Sequence, residues 1–327
     1  MTTPHMPVLD VETMTVRPIL KREIRRYGSV SDPGGDLAYD FSDYLRELWV
    51  AGNSRPSWCF VAEAGGAFIA RVVYWGMPNA PAPVLIDLLD IADDYDFVTV
   101  GEVLLRRSLS ALAAHGAGTI EYHPEANRHL GTISPDERTL MRRLGFRRIR
   151  TARRFERIST SAGPAGTTGD LRFRSLGEVG DESFVGAIAA VNRDGLDRRI
   201  RRDVESLGPE AAARRKFANS LALHAQPEWW QLAYTPASEL VGLVMPSLID
   251  GQPVIDYIGV VPERRGRRHI DQLIARAIDV FEERDAPRIR ADTDAVNHPM
   301  LAALRRAGFR QFSTRVEYRL RSPPRPA

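Results

Sequence analysis

The sequence predicts an α/β protein built from two tandem units, and three observations lead to that reading. A β-type run, Val254 to Val261, breaks into a basic loop, Pro262 to Arg268, and a helical pattern follows at once. An earlier stretch, from Val84 to Phe155, repeats the same order of elements in faded form. Between the copies, residues 158–170 are rich in Ser, Thr and Gly, the composition of a linker.

Along the first copy, Val84 to Leu89 reads as a strand and Val100, Val103, Leu104, Leu109 and Leu112 mark one face of a helix. Thr119 to His123 reads as a second strand. A further helix from Leu140 ends at Gly145-Phe146, which corresponds to Gly308-Phe309 in the second copy, 163 residues later. The register holds beyond the glycine, with Thr151 against Thr314 and Phe155 against Tyr318. The boundaries expected are 1–157 for the first unit, 158–170 for the linker, 171–321 for the second unit and 322–327 for a tail.

In the second copy Ile270, Leu273, Ile274, Ala277, Ile278 and Phe281 fall on one helical face directly after the loop. Strand, tight basic loop and helix N-terminus together make an anion site. The first N–H groups of the helix lack partners, its dipole favours negative charge, and Gly266 lets a phosphate approach the backbone. The first copy has Asp90 to Asp96 at the corresponding place, with Asp90, Asp93, Asp94 and Asp96 and no glycine before Gly101. Carboxylates there repel an anion.

Val261-Pro262-Glu263 with Arg265-Gly266 opening an amphipathic helix resembles the acyl-CoA loop of the GNAT superfamily of N-acetyltransferases. The second half of that signature follows in order: a short strand, Arg288 to Thr293, then Asn297 opening a helix that closes at Gly308-Phe309. The resemblance covers about residues 171 to 321. It implies a mixed α/β fold of two tandem GNAT-like domains, each a mostly antiparallel central sheet flanked by helices, with the first copy degenerate. Two departures stand out. Arg268 takes a position where the family places glycine, and Leu304 stands where many members carry a tyrosine that protonates the leaving thiolate.

The resemblance further implies direct transfer of an acetyl group from acetyl-CoA, as co-substrate, to an amine of a small molecule or peptide. Backbone groups of Arg267, Arg268 and His269, with Gly266, would hold the pyrophosphate, and Arg265 would add charge. The pantetheine arm would follow Ile258, Gly259, Val260 and Val261, with Asn297 on the cofactor side. Asp256, on the strand leading into the loop, is the candidate base, and Tyr318 is a substitute for the missing acid. Asp292 and Asp294, at the end of the next strand, could bind a cationic acceptor. Trp230 could line the acceptor cleft, since strand alternation would turn one of Trp229 and Trp230 outward. The alternative is a non-catalytic acyl-CoA-binding or regulatory protein.

Composition narrows the classes. The 327 residues are 43% hydrophobic, enough for ordinary cores. No apolar run suggests a membrane span, and the first residues lack signal-peptide form, so a cytoplasmic location is expected. Cys59 is the only cysteine; it excludes an intrachain disulfide, and no Cys/His cluster suggests a metal. The net charge is +3, almost wholly from arginine, with Lys21 and Lys216 the only lysines. Acidic residues nearly balance the basic ones, so nucleic acid is not expected as the main partner. A monomer or homodimer is expected.

Overall fold

The computed structural model describes residues 11–28, 30, 41–125, 133–159, 169–223, 226–249 and 251–321. The chain divides into two compact units: residues 1–149 with 316–327, and residues 150–315. Most of the stretch read as a linker, 160–168, and the tail 322–327 lie outside the described residues.

The first half supplies β1 (Thr15–Pro18), α1 (Ile24–Gly28), α2 (Phe41–Val50), β2 (Cys59–Ala64), β3 (Ala67–Trp75), β4 (Leu85–Ile91), α3 (Phe97–Ala114), β5 (Ile120–Tyr122), α4 (Pro135–Arg143) and β6 (Arg147–Ile158). The second half supplies β7 (Arg172–Ser175), α5 (Leu176–Val179), α6 (Asp181–Asn192), α7 (Arg198–Leu207), α8 (Pro209–Leu223), β8 (Gln231–Tyr234), β9 (Leu240–Ile249), β10 (Gln252–Val260), α9 (His269–Glu282), β11 (Arg288–Asp294), α10 (His298–Arg306) and β12 (Arg310–Leu320). The mixed α/β fold expected from sequence is present in both halves.

In the first unit the strands run β1-β2-β3-β4-β5 and then the C-terminal part of β12. All neighbours are antiparallel except β4 and β5. Gly65 and Gly66, both at positive φ, make the tight β2–β3 turn that a side chain would strain. One face packs on α3 and α4 through Leu104, Leu109, Leu140 and Met141; the other packs on α1 and α2 through Tyr27 and Leu45. The α3 N-terminus is closed by its own chain: the Asp96 carboxylate accepts from the Thr99 N–H at 2.7 Å. An internal carboxylate stands where the corresponding helix of the second unit has none.

The second unit has the order β7-β8-β9-β10-β11 and then β6, again antiparallel except for β10 and β11. Its two faces are buried separately. Leu273, Ile274, Ile278, Leu301 and Leu304 of α9 and α10 cover Phe155, Ile289 and Ala291. Phe184, Ile188 and Phe217 of α6 and α8 cover Trp230, Leu232, Leu243 and Met245.

Sequence boundaries and observed units differ in one respect. Each unit's sheet is closed by the strand that follows the other half's last helix: β6 residues 150–158 serve the second unit, and β12 residues 316–320 serve the first. Contiguous boundaries at 157 and 171 miss this exchange, because the two closing strands carry matching patterns and either could close either sheet.

Candidate active site

The site is built where β10 and β11 part. These parallel strands pair only at Val254 with Arg290 and Ile255 with Ala291. Beyond that point β10 runs on beside β9 to Val260, and β11 runs on beside β6 to Asp294. A wedge opens between them, lined on the β10 side by the backbone of residues 256–260.

At the apex of the wedge β10 bulges. Its register against β9 shifts between Ile255 and Tyr257. Ile255 and Ile258 pack into the α9-side core, whereas Asp256 and Tyr257 both turn toward α6 and α8. One extra residue thus aims two consecutive polar side chains at one face, which strict alternation would forbid. Both Asp256 oxygens are held: Lys216 Nζ donates to Oδ1 at 3.0 Å and to Oδ2 at 2.9 Å, and Ser220 Oγ donates to Oδ2 at 2.9 Å. The Lys216 ammonium lies 4.9 Å over the Tyr257 ring. The Tyr257 hydroxyl donates to Asn192 Oδ1, and burial raises its pKa, so it stays protonated.

The basic loop closes the other end of β10. The Val261 N–H bonds back to Val241 at 2.9 Å, and Pro262–Arg264 form a single tight turn. Gly266 has φ +77°, and Arg268, the N-cap of α9, is left-handed at φ 61°. Arg268 occupies the conformation that glycine adopts without strain. Among the described residues, the N–H groups of Gly266, Arg267, Arg268 and His269 donate to no backbone carbonyl outside the helix ladder. They front the N-terminus of a fourteen-residue helix, with the exposed Arg267 beside them. Burial, aided by Arg267 and Arg264, lowers the His269 pKa and favours its neutral form. The loop can therefore take a phosphate through backbone donors.

Arg265 does something other than the sequence suggests. Its guanidinium donates to the carbonyls of Val260 at 3.1 Å, Asp194 at 3.1 Å, Val191 at 3.0 Å and Arg193 at 2.7 Å. Four of the five N–H groups an arginine carries are spent tying the end of α6 to the end of β10. Arg265 shapes the loop rather than presenting charge to a ligand.

The remaining expected residues fall into two groups. Ile258, Gly259 and Val260 line the wedge, and a Cβ on Gly259 would come within 3.0 Å of Val191, so this strand position needs glycine. Asn297 caps α10, accepting from the Met300 N–H at 3.4 Å. Asp294 is fully buried; it accepts from the N–H groups of Arg198 and Val296, each at 3.1 Å, and cannot meet a cationic acceptor. Asp292 is paired with Arg154 at 3.3 Å and Arg315 at 2.8 Å. Trp230 is also fully buried: the strand starts after it, and it packs on Phe184 and Phe217 with its Nε1 donating to Ser247 at 3.2 Å. Tyr318 belongs to the first unit, in register with Tyr122, whereas Asp256 belongs to the second. Lys216, Ser220, Tyr257 and Asn192 were missed, since a bulge leaves no mark in the hydropathy pattern. Lys216 did carry one signal: it is the only lysine of the second half in a chain that otherwise uses arginine.

In the first unit, donor atoms of Glu121, His123 and Glu317 lie within 4.8 Å of one another. Glu121 is bonded there by His123 at 2.7 Å and by Arg319 at 2.9 Å. Among the described residues no helix is long and apolar enough to cross a membrane.

Residues 184–309 match the model of the acetyltransferase (GNAT) family. Over that stretch the chain is similar to the GNAT acetyltransferases. An 88-residue stretch, 27% of the chain, is 33% identical to a mycothiol acetyltransferase of Clavibacter sepedonicus and spans 29% of that relative. A GCN5-related N-acetyltransferase from Sphaerobacter thermophilus superposes with a TM-score of 0.67 over 97% of this chain and 98% of its own, at 16% identity. A tandem GNAT protein from the clavulanic acid biosynthesis pathway gives a TM-score of 0.57 over 96% and 100%, at 15% identity. These two likenesses establish the tandem GNAT fold. The departures at Arg268 and Leu304 from that family's pattern are both accommodated: the first keeps glycine's geometry with another side chain, and the second is a buried core residue.

Proposed function

We propose that the second unit is an acyl-CoA-dependent N-acetyltransferase that moves an acetyl group from acetyl-CoA to an amine by direct transfer. The observation that carries this reading is the wedge between β10 and β11 ending at the unpaired α9 N-terminus. A phosphate-bearing thioester fits it: the pyrophosphate on the N–H groups of Gly266 to His269, the pantetheine along the free edge of β10.

The chemistry then falls to few groups. An alkylammonium must lose a proton before it can attack, and the Asp256 carboxylate would take it, directly or through one water. The amine nitrogen attacks the thioester carbon and gives up its second proton to solvent, the C–S bond breaks, and sulfur leaves as a thiolate. A thiol of ordinary pKa near 8.5 is a tolerable leaving group, so proton return from solvent suffices without a tyrosine at Leu304. Alignment of amine and thioester would supply most of the acceleration, on the order of 7–11 kcal/mol for a well-oriented pair.

One observation favours a second reading: Asp256 is already held by Lys216 and Ser220, as in a protein that binds acyl-CoA without turning it over. Calorimetric titration with acetyl-CoA, beside a Gly266→Asp variant, tests both. Saturable binding to one site per chain, abolished in the variant, with thiol release on addition of an amine, supports the enzyme. Binding without release against any amine supports the second reading, and absence of binding overturns both.

A further inference from the structure

The expected cation subsite at Asp292 carries the opposite charge. Asp292 shares its face of the second unit's sheet with Arg154, directly opposite on β6, and with Arg290, two residues earlier on β11. Arg154 and Arg315 stand 3.3 and 2.8 Å from the Asp292 carboxylate. The Arg154 and Arg290 guanidiniums lie over the Phe312 ring at 5.2 and 5.4 Å. Glu156 faces Arg290 in register, but its carboxylate is 3.5 Å from Arg288. Arg154 and Arg315 therefore share one carboxylate, with the Arg290 guanidinium close to Arg154 over the same ring, and burial reinforced by Arg315 and Arg290 lowers the Arg154 pKa. The Nε atoms of Arg290 and Arg315 are buried and have no hydrogen-bond partner. Like charges held this close, with buried donors unspent, favour an anion among them.

The place of this cluster gives it a meaning. Ile255 is level with Ala291 in the parallel register, so Asp256 and Asp292 follow at one level where the strands part. Both turn to the face opposite the α9 core. An acceptor whose amine meets Asp256 would extend toward these arginines.

We propose that Arg290 and Arg315, with Arg154 behind them, form an anion subsite, and that the acceptor is an amine bearing a carboxylate or phosphate group. The acceptor half of this inference rests on the acetyltransferase reading; anion binding by the cluster does not. Fork-shaped guanidiniums suit either anion, because both offer two oxygens to parallel N–H groups. Asp292, paired with Arg154 and Arg315, then competes with the incoming anion for their donors.

The test uses the full chain carrying Gly266→Asp, so that the α9 N-terminus is closed to phosphate. Inorganic phosphate is titrated by calorimetry, followed by O-phosphoethanolamine against ethanolamine and β-alanine against propylamine. One saturable site is expected, weakened roughly tenfold or more by Arg290→Met and less by Arg290→Lys. Asp292→Asn, which removes the competing carboxylate, should tighten phosphate binding, a gain that misfolding could not produce. The amine whose anionic group lets it outbind its counterpart without one tells carboxylate from phosphate. Absent phosphate binding, affinity unchanged in Arg290→Met and Asp292→Asn, or no preference for either charged amine overturns the proposal. Acetyl-CoA binding to the unsubstituted chain is read in parallel. Its absence with the phosphate site intact removes the acetyltransferase reading alone, and its presence without a phosphate site removes the subsite alone.

Discussion

Lys216 Nζ lies 3.0 and 2.9 Å from the two oxygens of Asp256, a contact that joins α8 to the bulge of β10. Only 11% of the Asp256 side chain is exposed, so the carboxylate relies on this cation and on Ser220 for the hydrogen bonds water would otherwise give. The same carboxylate sits on the β10 bulge at the apex of the wedge. Structure and proposed chemistry therefore converge on one ion pair.

Asp256→Asn is expected to lower kcat by roughly 10²–10⁴-fold while leaving acetyl-CoA affinity unchanged, because the amide keeps the shape but cannot take a proton. Lys216→Met should instead weaken the fold by about 1–3 kcal/mol, since it strands a mostly buried carboxylate. The double variant should recover part of that loss. Urea unfolding and steady-state rates on the four proteins measure both effects; an Asp256→Asn enzyme of full activity would remove Asp256 as the base.

Cys59 bears on how such rates can be read. It is fully buried, and desolvation pushes its thiol up to about 11. A thiolate is the reactive form, so at pH 8 the native chain should give no reaction with a disulfide reagent, and one equivalent after denaturation. Thiol release can then be followed without background from the protein. Fast labelling of the native chain would contradict the burial.

Arg268 presents an unusual opportunity. Its φ of 61° asks a side-chain-bearing residue to hold a left-handed turn, at roughly 1–2 kcal/mol. Its guanidinium is exposed and bonds Asp271, which Arg306 also holds at 2.6 Å, so the lost pair is worth little. Arg268→Gly should therefore raise stability by about 1 kcal/mol, or about 2–4 °C in the melting temperature of a unit this size. Acetyl-CoA affinity should hold or improve. A marked fall in affinity would make the Arg268 side chain itself a phosphate ligand.

Much of this was legible in the sequence where the signal is local. The strand at Val254, the basic loop and the α9 face follow from period and composition, and the fading of the first copy follows from Asp90 to Asp96. What escaped is set by tertiary geometry. The bulge turns Asp256 and Tyr257 to one face without altering any apolar period. Arg265 has the right residue type in the right loop, yet its donors go to α6 carbonyls that no local pattern reveals. Trp230 is expected at a cleft when the strand is begun at Trp229, two residues before its observed start at Gln231. Asp292 is grouped in the sequence with Asp294, whereas its meaning depends on Arg154 and Arg315, which reach it from β6 and β12.

The closing strands supply the last prediction. Leu320 is packed in the first unit's core with Ile120 and Leu144, although it ends the second half of the sequence. Leu320→Ala should cost about 2–5 kcal/mol, as for other buried leucines. Were the halves contiguous domains, that loss would fall on β10 and β11, beside the proposed active site. With the strands exchanged, it should fall on the first unit. Hydrogen exchange followed by mass spectrometry separates the two: amides of β4 and β5 should lose protection, while those of β10 and β11 keep theirs. The converse substitution, Phe155→Ala, lies in the first half of the sequence yet in the second unit's core. It should open β11 and weaken acetyl-CoA binding, and protection lost instead around β5 would mean that each half closes its own sheet.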